Sequence, residues 1–111
     1  MEKPDSASSP VLSSKQIKYL RGLGHGLSPL VLIGKEGISD NLLKAIQSEL
    51  KTHELIKVKI GTNSPVDKNE AAERIPPAAA AALVQFIGKT LLLYRANPKK
   101  PKDKRIALPK I

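Results

Sequence analysis

Cysteine and tryptophan are absent from this 111-residue chain, and its only aromatic residues are Tyr19, Phe86 and Tyr94. The lack of cysteine excludes a disulfide framework and thiolate zinc sites, and it fits a reducing compartment. So few aromatics argue against a sheet that reads nucleic acid by stacking bases, and Phe86 is expected in the core. No apolar run approaches the ~20 residues that span a bilayer. Met1 to Val11 carries no apolar core of a secretory signal. A cytoplasmic protein with no membrane partner is expected.

Groups for catalysis are scarce too. His25 and His53 are the only histidines, and no pair of carboxylates is suggestively spaced. His53 reads as a helix cap. Gly22-Leu23-Gly24-His25-Gly26-Leu27 imitates a dinucleotide loop but lacks the third glycine and precedes a strand instead of following one. The expectation is a non-enzyme with no catalytic residue, metal, cofactor or small-molecule substrate.

What the chain has is positive charge. Lysine and arginine total 19 against 10 acids, a formal net charge of +9. Such an excess in one small domain points to a polyanion, nucleic acid before an anionic membrane. Hydrophobic residues make up 41%, enough for a core.

Residues 1–12 are rich in Ser, Pro and charge and read as a flexible tail. Ser13 with Gln16 matches a capping box and opens a helix with Ile17, Leu20 and Leu23 on one face; Lys15, Lys18 and Arg21 lie on the other. Gly22, Gly24 and Gly26 end it. Pro29 to Ile33 is wholly apolar and reads as a strand buried on both faces. After Gly34-Lys35-Glu36-Gly37, Ser39 caps a second helix with Leu42, Leu43, Ile46 and Leu50 inward. In Leu55 to Ile60, Ile56, Val58 and Ile60 alternate with Leu55, Lys57 and Lys59, so one sheet face is partly wet and cationic. Asp67 to Ile75 reads as a helix stopped by Pro76-Pro77, with a short helical restart open to Ala78–Ala82. Leu83–Ile87 and Thr90–Arg95 form a hairpin about Gly88-Lys89. The last stretch, 96–111, sets six cations against Asp103 in a basic, proline-punctuated tail.

The order is α-β-α-β-α-β-β, with 13–95 as the domain. Right-handed crossovers place the second and third helices on one face of a four-stranded mixed sheet, and the first helix is the available cover for the other. This is an α/β (α+β) sandwich of two-layer type.

Two constellations can meet phosphate. In Gly34-Lys35-Glu36-Gly37, two glycines can point backbone N–H groups into one concavity ahead of a helix N-terminus, and Lys35 adds a cation. The alternative is a tight turn that needs glycine for geometry alone, and Glu36 and Asp40 repel anions. The second constellation is Lys15, Lys18 and Arg21 on the first helix, Lys57 and Lys59 on the strand, and Lys89 at the hairpin tip, without interspersed acids on the helix or strand face.

LSSKQIKYLRGLGH, LVLIGKEGIS, HELIKVKI and VQFIGKTLLLYR followed by RIALPK resemble, in this order, the CRM domain (chloroplast RNA splicing and ribosome maturation) in its stand-alone bacterial YhbY-like form. The resemblance runs from Leu12 to Lys110. It implies a fold similar to the C-terminal domain of translation initiation factor three. It also implies RNA binding through Gly34, Lys35, Glu36, Gly37 and nearby basic residues, with large-subunit ribosomal RNA or its precursor particles as partner. The sequence departs from the family pattern at Pro76-Pro77, inside the family's third helix. A monomer is expected. The competing expectation is a protein-interaction module that docks on acidic ribosomal or translation factors.

Overall fold

The computed structural model describes residues 10–110. Residues 1–9 of the expected N-terminal tail, and Ile111, lie outside the described residues. The elements are α1 (Ser14–Gly24), β1 (Pro29–Ile33), α2 (Asp40–His53), β2 (Leu55–Ile60), α3 (Lys68–Ala78), β3 (Ala82–Ile87) and β4 (Thr90–Tyr94), with a 3₁₀ turn at Lys102–Lys104. The sheet order is β1-β2-β4-β3. β1 and β2 are parallel, and β4 is antiparallel to both of its neighbours.

Local chemistry sets the helix starts. The Ser13 hydroxyl accepts from Gln16 N at 3.1 Å while Ser13 N donates to Gln16 Oε1 at 3.0 Å, closing the capping box. Ser39 and Asp67 cap α2 and α3 in the same sense. α2 and α3 share one sheet face. There Leu42, Ile46, Leu50, Ala71 and Ile75 pack on Val31, Ile33, Ile56, Val58, Leu91 and Leu93, with Phe86 against them. α1 lies on the opposite face over Leu55, Val84, Leu92 and Tyr94.

Four expectations need correction. First, α3 runs through Pro76 and Pro77 to Ala78. Proline's fixed φ is helical, and only the N–H and the contact with the i−4 carbonyl are lost. The carbonyls deprived of a donor belong to Ala72, half-buried, and Glu73, exposed, where water can serve them. Second, the alanines do not restart a helix. Ala80 adopts φ +53°, and Ala81 N to Pro76 O (2.8 Å) with Ala80 N to Pro77 O (3.2 Å) closes α3 in a Schellman motif.

Third, α1 continues through Gly22 and buries Leu20 and Gly24, leaving Leu23 41% exposed. A Cβ on Gly24 would stand 2.7 Å from Leu92 Cδ2, so absence of a side chain lets the helix end reach the sheet. Fourth, β1 is not buried on both faces. It is an edge strand, because β4 inserts on the far side of β2, and α1 packs on β2, β3 and β4. Leu30 and Leu32 are left 49% and 62% exposed.

The segment after β4 is laid back on the domain. Ile106 and Leu108 pack on the α1 cluster, and Gln16 Nε2 donates to Pro109 O at 3.0 Å.

Candidate nucleic-acid interface

Because α1 covers only part of its sheet face, the remainder is open. β-strand alternation brings Leu30 and Leu32 of β1 and Lys57 and Lys59 of β2 to that side. Lys57 is flanked by Pro29 and Leu92, and Lys59 by Leu32 and Thr90. Where the end of α1 meets the sheet, Gly24, His25, Lys57, Gln85, Ile87 and Thr90 line a cleft of about 250 Å³. A second cleft, of about 530 Å³, is bounded by Lys18, Arg21, Gly22, His25 and Gln85. His25 and Gln85 belong to both clefts, so Lys18, Arg21 and Lys57 converge on one continuous surface. Lys15 is exposed one turn earlier on α1, outside both.

The Gly34–Gly37 turn extends β1 beyond the sheet. Gly37 has φ +67°, is buried, and its N–H donates to Gly34 O at 3.0 Å. A Cβ there would meet Val66 Cγ2 at 3.2 Å. Gly37 therefore serves the turn and its packing. Gly34, Lys35 and Glu36 are exposed.

Lys89 sits at the hairpin tip beside Gly88, at φ +60°, and its carbonyl accepts from Ile60 N at 2.7 Å. It borders a different cleft, of about 510 Å³, together with Thr62, Ser64, Asp67, Lys68 and Asn69. The structure thus joins Lys18, Arg21 and Lys57 through adjoining clefts, sets Lys59 two residues further along the same strand face and Lys35 at the end of the neighbouring strand, and places Lys89 on a different cleft.

Among the described residues, the Lys or Arg ion pair is Arg74–Glu70 at 2.6 Å, His53 Nε2 stands 3.5 Å from Glu49 Oε1, and neither pair involves these cations. Of the aromatics, Tyr94 is buried, Phe86 packs against the core and Tyr19 is 42% exposed on α1. No group of three or more metal-ligating side chains occurs among the described residues, and no helix there is long and apolar enough to cross a membrane.

Sequence reasoning missed His25 and Gln85, which join the surface only because the end of α1 lies across β3 and β4. It also missed Glu54. That residue caps α2 at φ +64°, is 1% exposed, and its carboxylate accepts from Asn97 N at 2.7 Å and Ile106 N at 2.8 Å. No local pattern signals it, because both donors come from beyond β4.

A small mixed sheet with two crossover helices on one face, and a glycine turn and cations on the other side and edge, defines a class. Residues 12–95 match the CRS1 / YhbY (CRM) domain, and the chain belongs to that family. It is 39% identical over 99 residues to the Bacillus subtilis protein named "Probable RNA-binding protein YqeI", covering 89% of this chain and all of that one. A Haemophilus influenzae protein named "RNA-binding protein" is 38% identical over 99 residues, covering 89% of this chain and 96% of its own length. The solution structure of SAV1595 from Staphylococcus aureus superposes with a TM-score of 0.72 at 42% identity, over 89% of this chain and all of that one.

Proposed function

We propose that this chain binds structured RNA through its phosphate backbone, and that its target is ribosomal RNA in precursors of the large ribosomal subunit, whose assembly it assists. One observation carries the reading. Among the described residues, Lys18 and Arg21 on α1 and Lys57 on β2 border two clefts that share His25 and Gln85, Lys59 follows on the same strand face, and no acid is paired to any of them; the exposed Lys35 lies at the neighbouring strand end, in a fold whose relatives are named RNA-binding proteins. Phosphate contacts position a protein without demanding exposed aromatics, and no tyrosine or phenylalanine side chain lines either cleft. The protein acts as a cytoplasmic, non-catalytic monomer. Gly34, Lys35 and Glu36 meet the RNA at the strand end, Gly37 holds the turn, and Lys15 and Lys89 extend the contact to either side.

The exposed Leu30, Leu32 and Ile87 favour the second reading, a module that docks on acidic ribosomal or translation factors. Crosslinking the protein to RNA in living cells, followed by sequencing, separates the two. Enrichment of large-subunit ribosomal RNA is expected. Recovery of no RNA above background, with crosslinks to acidic proteins instead, would overturn the proposal.

A further inference from the structure

The Glu54 carboxylate accepts two backbone N–H groups that lie nine residues apart, Asn97 N on Oε2 and Ile106 N on Oε1. The chain between them is a closed loop, pinned at both ends by one buried side chain. Residues 98–105 of this loop carry Lys99, Lys100, Lys102, Lys104 and Arg105 against Asp103. Further bonds order it. Asn97 Nδ2 donates to Lys51 O at 2.8 Å, Lys100 Nζ to Thr52 O at 2.8 Å, and Lys104 N to Pro101 O at 2.9 Å. Pro98 and Pro101 restrict it as well. Lys99, Lys102 and Lys104 remain exposed. Beside the loop, Lys51, Arg95 and Lys99 are among the residues that line a cleft of about 300 Å³.

We infer that the Asn97–Ile106 loop is a second RNA-backbone contact, set at the opposite end of the sheet from the Gly34–Gly37 turn. Glu54 precedes β2 and the glycine turn follows β1, which runs parallel to β2. Six residues of strand separate the two ends, about 20 Å at the usual rise. One chain then engages two stretches of a folded RNA. The inference rests on the RNA reading above.

Two features argue for a function beyond a solvated tail. Holding the loop requires a buried carboxylate and a non-glycine residue in the left-handed region, both of which cost stability. In return the lysines are presented by an ordered backbone, so less entropy is lost when they meet a ligand. The loop's chemistry also selects the ligand. Its exposed side chains are lysine, proline and aspartate, while its apolar neighbours Ile106 and Leu108 turn inward onto the α1 cluster. A protein partner needs apolar or aromatic anchors, and a phosphate backbone needs cations.

Lysine acetylation of the wild-type protein, read by mass spectrometry with and without a transcript of large-subunit ribosomal RNA, tests this directly. Lys99, Lys102 and Lys104 are expected to be protected as strongly as Lys35 and Lys59. In parallel, K99Q/K102Q/K104Q should melt like the parent, because Lys100 is left to cap Thr52, and should flatten the log–log salt slope of binding by about 2, three contacts at about 0.7 each. Protection of Lys35 and Lys59 alone, or an unchanged slope in the triple variant, overturns this inference and leaves the first surface standing. Protection of neither set overturns the RNA reading itself. Protection of the loop by polyglutamate but not by RNA assigns the loop to an acidic protein and also overturns the inference.

Discussion

Lys59 stands beside Leu32 in the parallel register of β2 and β1, and both are exposed on the part of the sheet that α1 leaves open. The pair results from strand order. β4 inserts between β2 and β3, so β1 becomes an edge that no helix covers on this side. A lysine beside an exposed leucine can lay its methylene stem on apolar surface and keep its ammonium in water. The cation is then held near the sheet without being desolvated, as the proposed phosphate contact requires.

The exposed part of the glycine turn can be tested without disturbing the buried part. Lys35→Ala leaves Gly37 on its bond to Gly34 and its contact with Val66. Removing one charge-assisted phosphate contact should weaken RNA affinity by on the order of 1 kcal/mol, about fivefold. Lys35→Asp should lose more, since it adds repulsion beside Glu36. Both variants should melt like the parent, because exposed substitutions usually change stability by less than about 0.5 kcal/mol. Affinity unchanged in both variants, in a fluorescence-anisotropy titration, would reduce the loop to a turn.

Glu54 should matter to stability more than any other acid among the described residues. Replacing it with alanine strands the N–H groups of Asn97 and Ile106, both of which the carboxylate now satisfies. A loss on the order of 2 kcal/mol is expected. Glu54→Gln should lose less, since its amide keeps one acceptor oxygen. Denaturant melts check this, and wild-type stability in Glu54→Ala would contradict the pinning described.

Tyr94 ties part of the stability to alkaline pH. Burial, and then the nearby Glu54 carboxylate, raise its pKa above the ordinary 10.0. The fold thus keeps the phenol neutral beyond the pH at which the unfolded chain ionises it. This share of stability is complete below about pH 10 and is lost as pH rises through the folded value. Melting temperatures of the parent should therefore fall above pH 10, and Tyr94→Phe should fall less steeply. Parallel curves for the two proteins would argue against it.

Much of this architecture is legible before any coordinates. The Ser13–Gln16 box, the α2 stripe of Leu42, Ile46 and Leu50, the alternation around Lys57 and Lys59, and the Gly88 turn are each encoded within a few residues. What escapes depends on distant partners. Pro29 to Ile33 looks fully buried because its composition is apolar, yet burial of an edge strand is decided by which strand lies beside it and where α1 stops. Pro76-Pro77 reads as a terminator because local rules weigh the lost N–H, whereas burial of Ile75 and the Ala80 cap favour one more turn. The surface itself was half visible. Its lysines stand out by charge, but their convergence with His25 and Gln85 is set by how α1 crosses the sheet.

The most direct test of phosphate-backbone recognition is the salt dependence of RNA affinity. Four phosphate contacts among the five cations Lys18, Arg21, Lys35, Lys57 and Lys59, at about −0.7 each, give a log–log slope near −3 for single-stranded RNA, steeper if the Asn97–Ile106 loop also engages. Fluorescence anisotropy across a range of salt concentrations measures it. A slope of about −3 or steeper is the predicted result. A slope indistinguishable from zero would contradict the account.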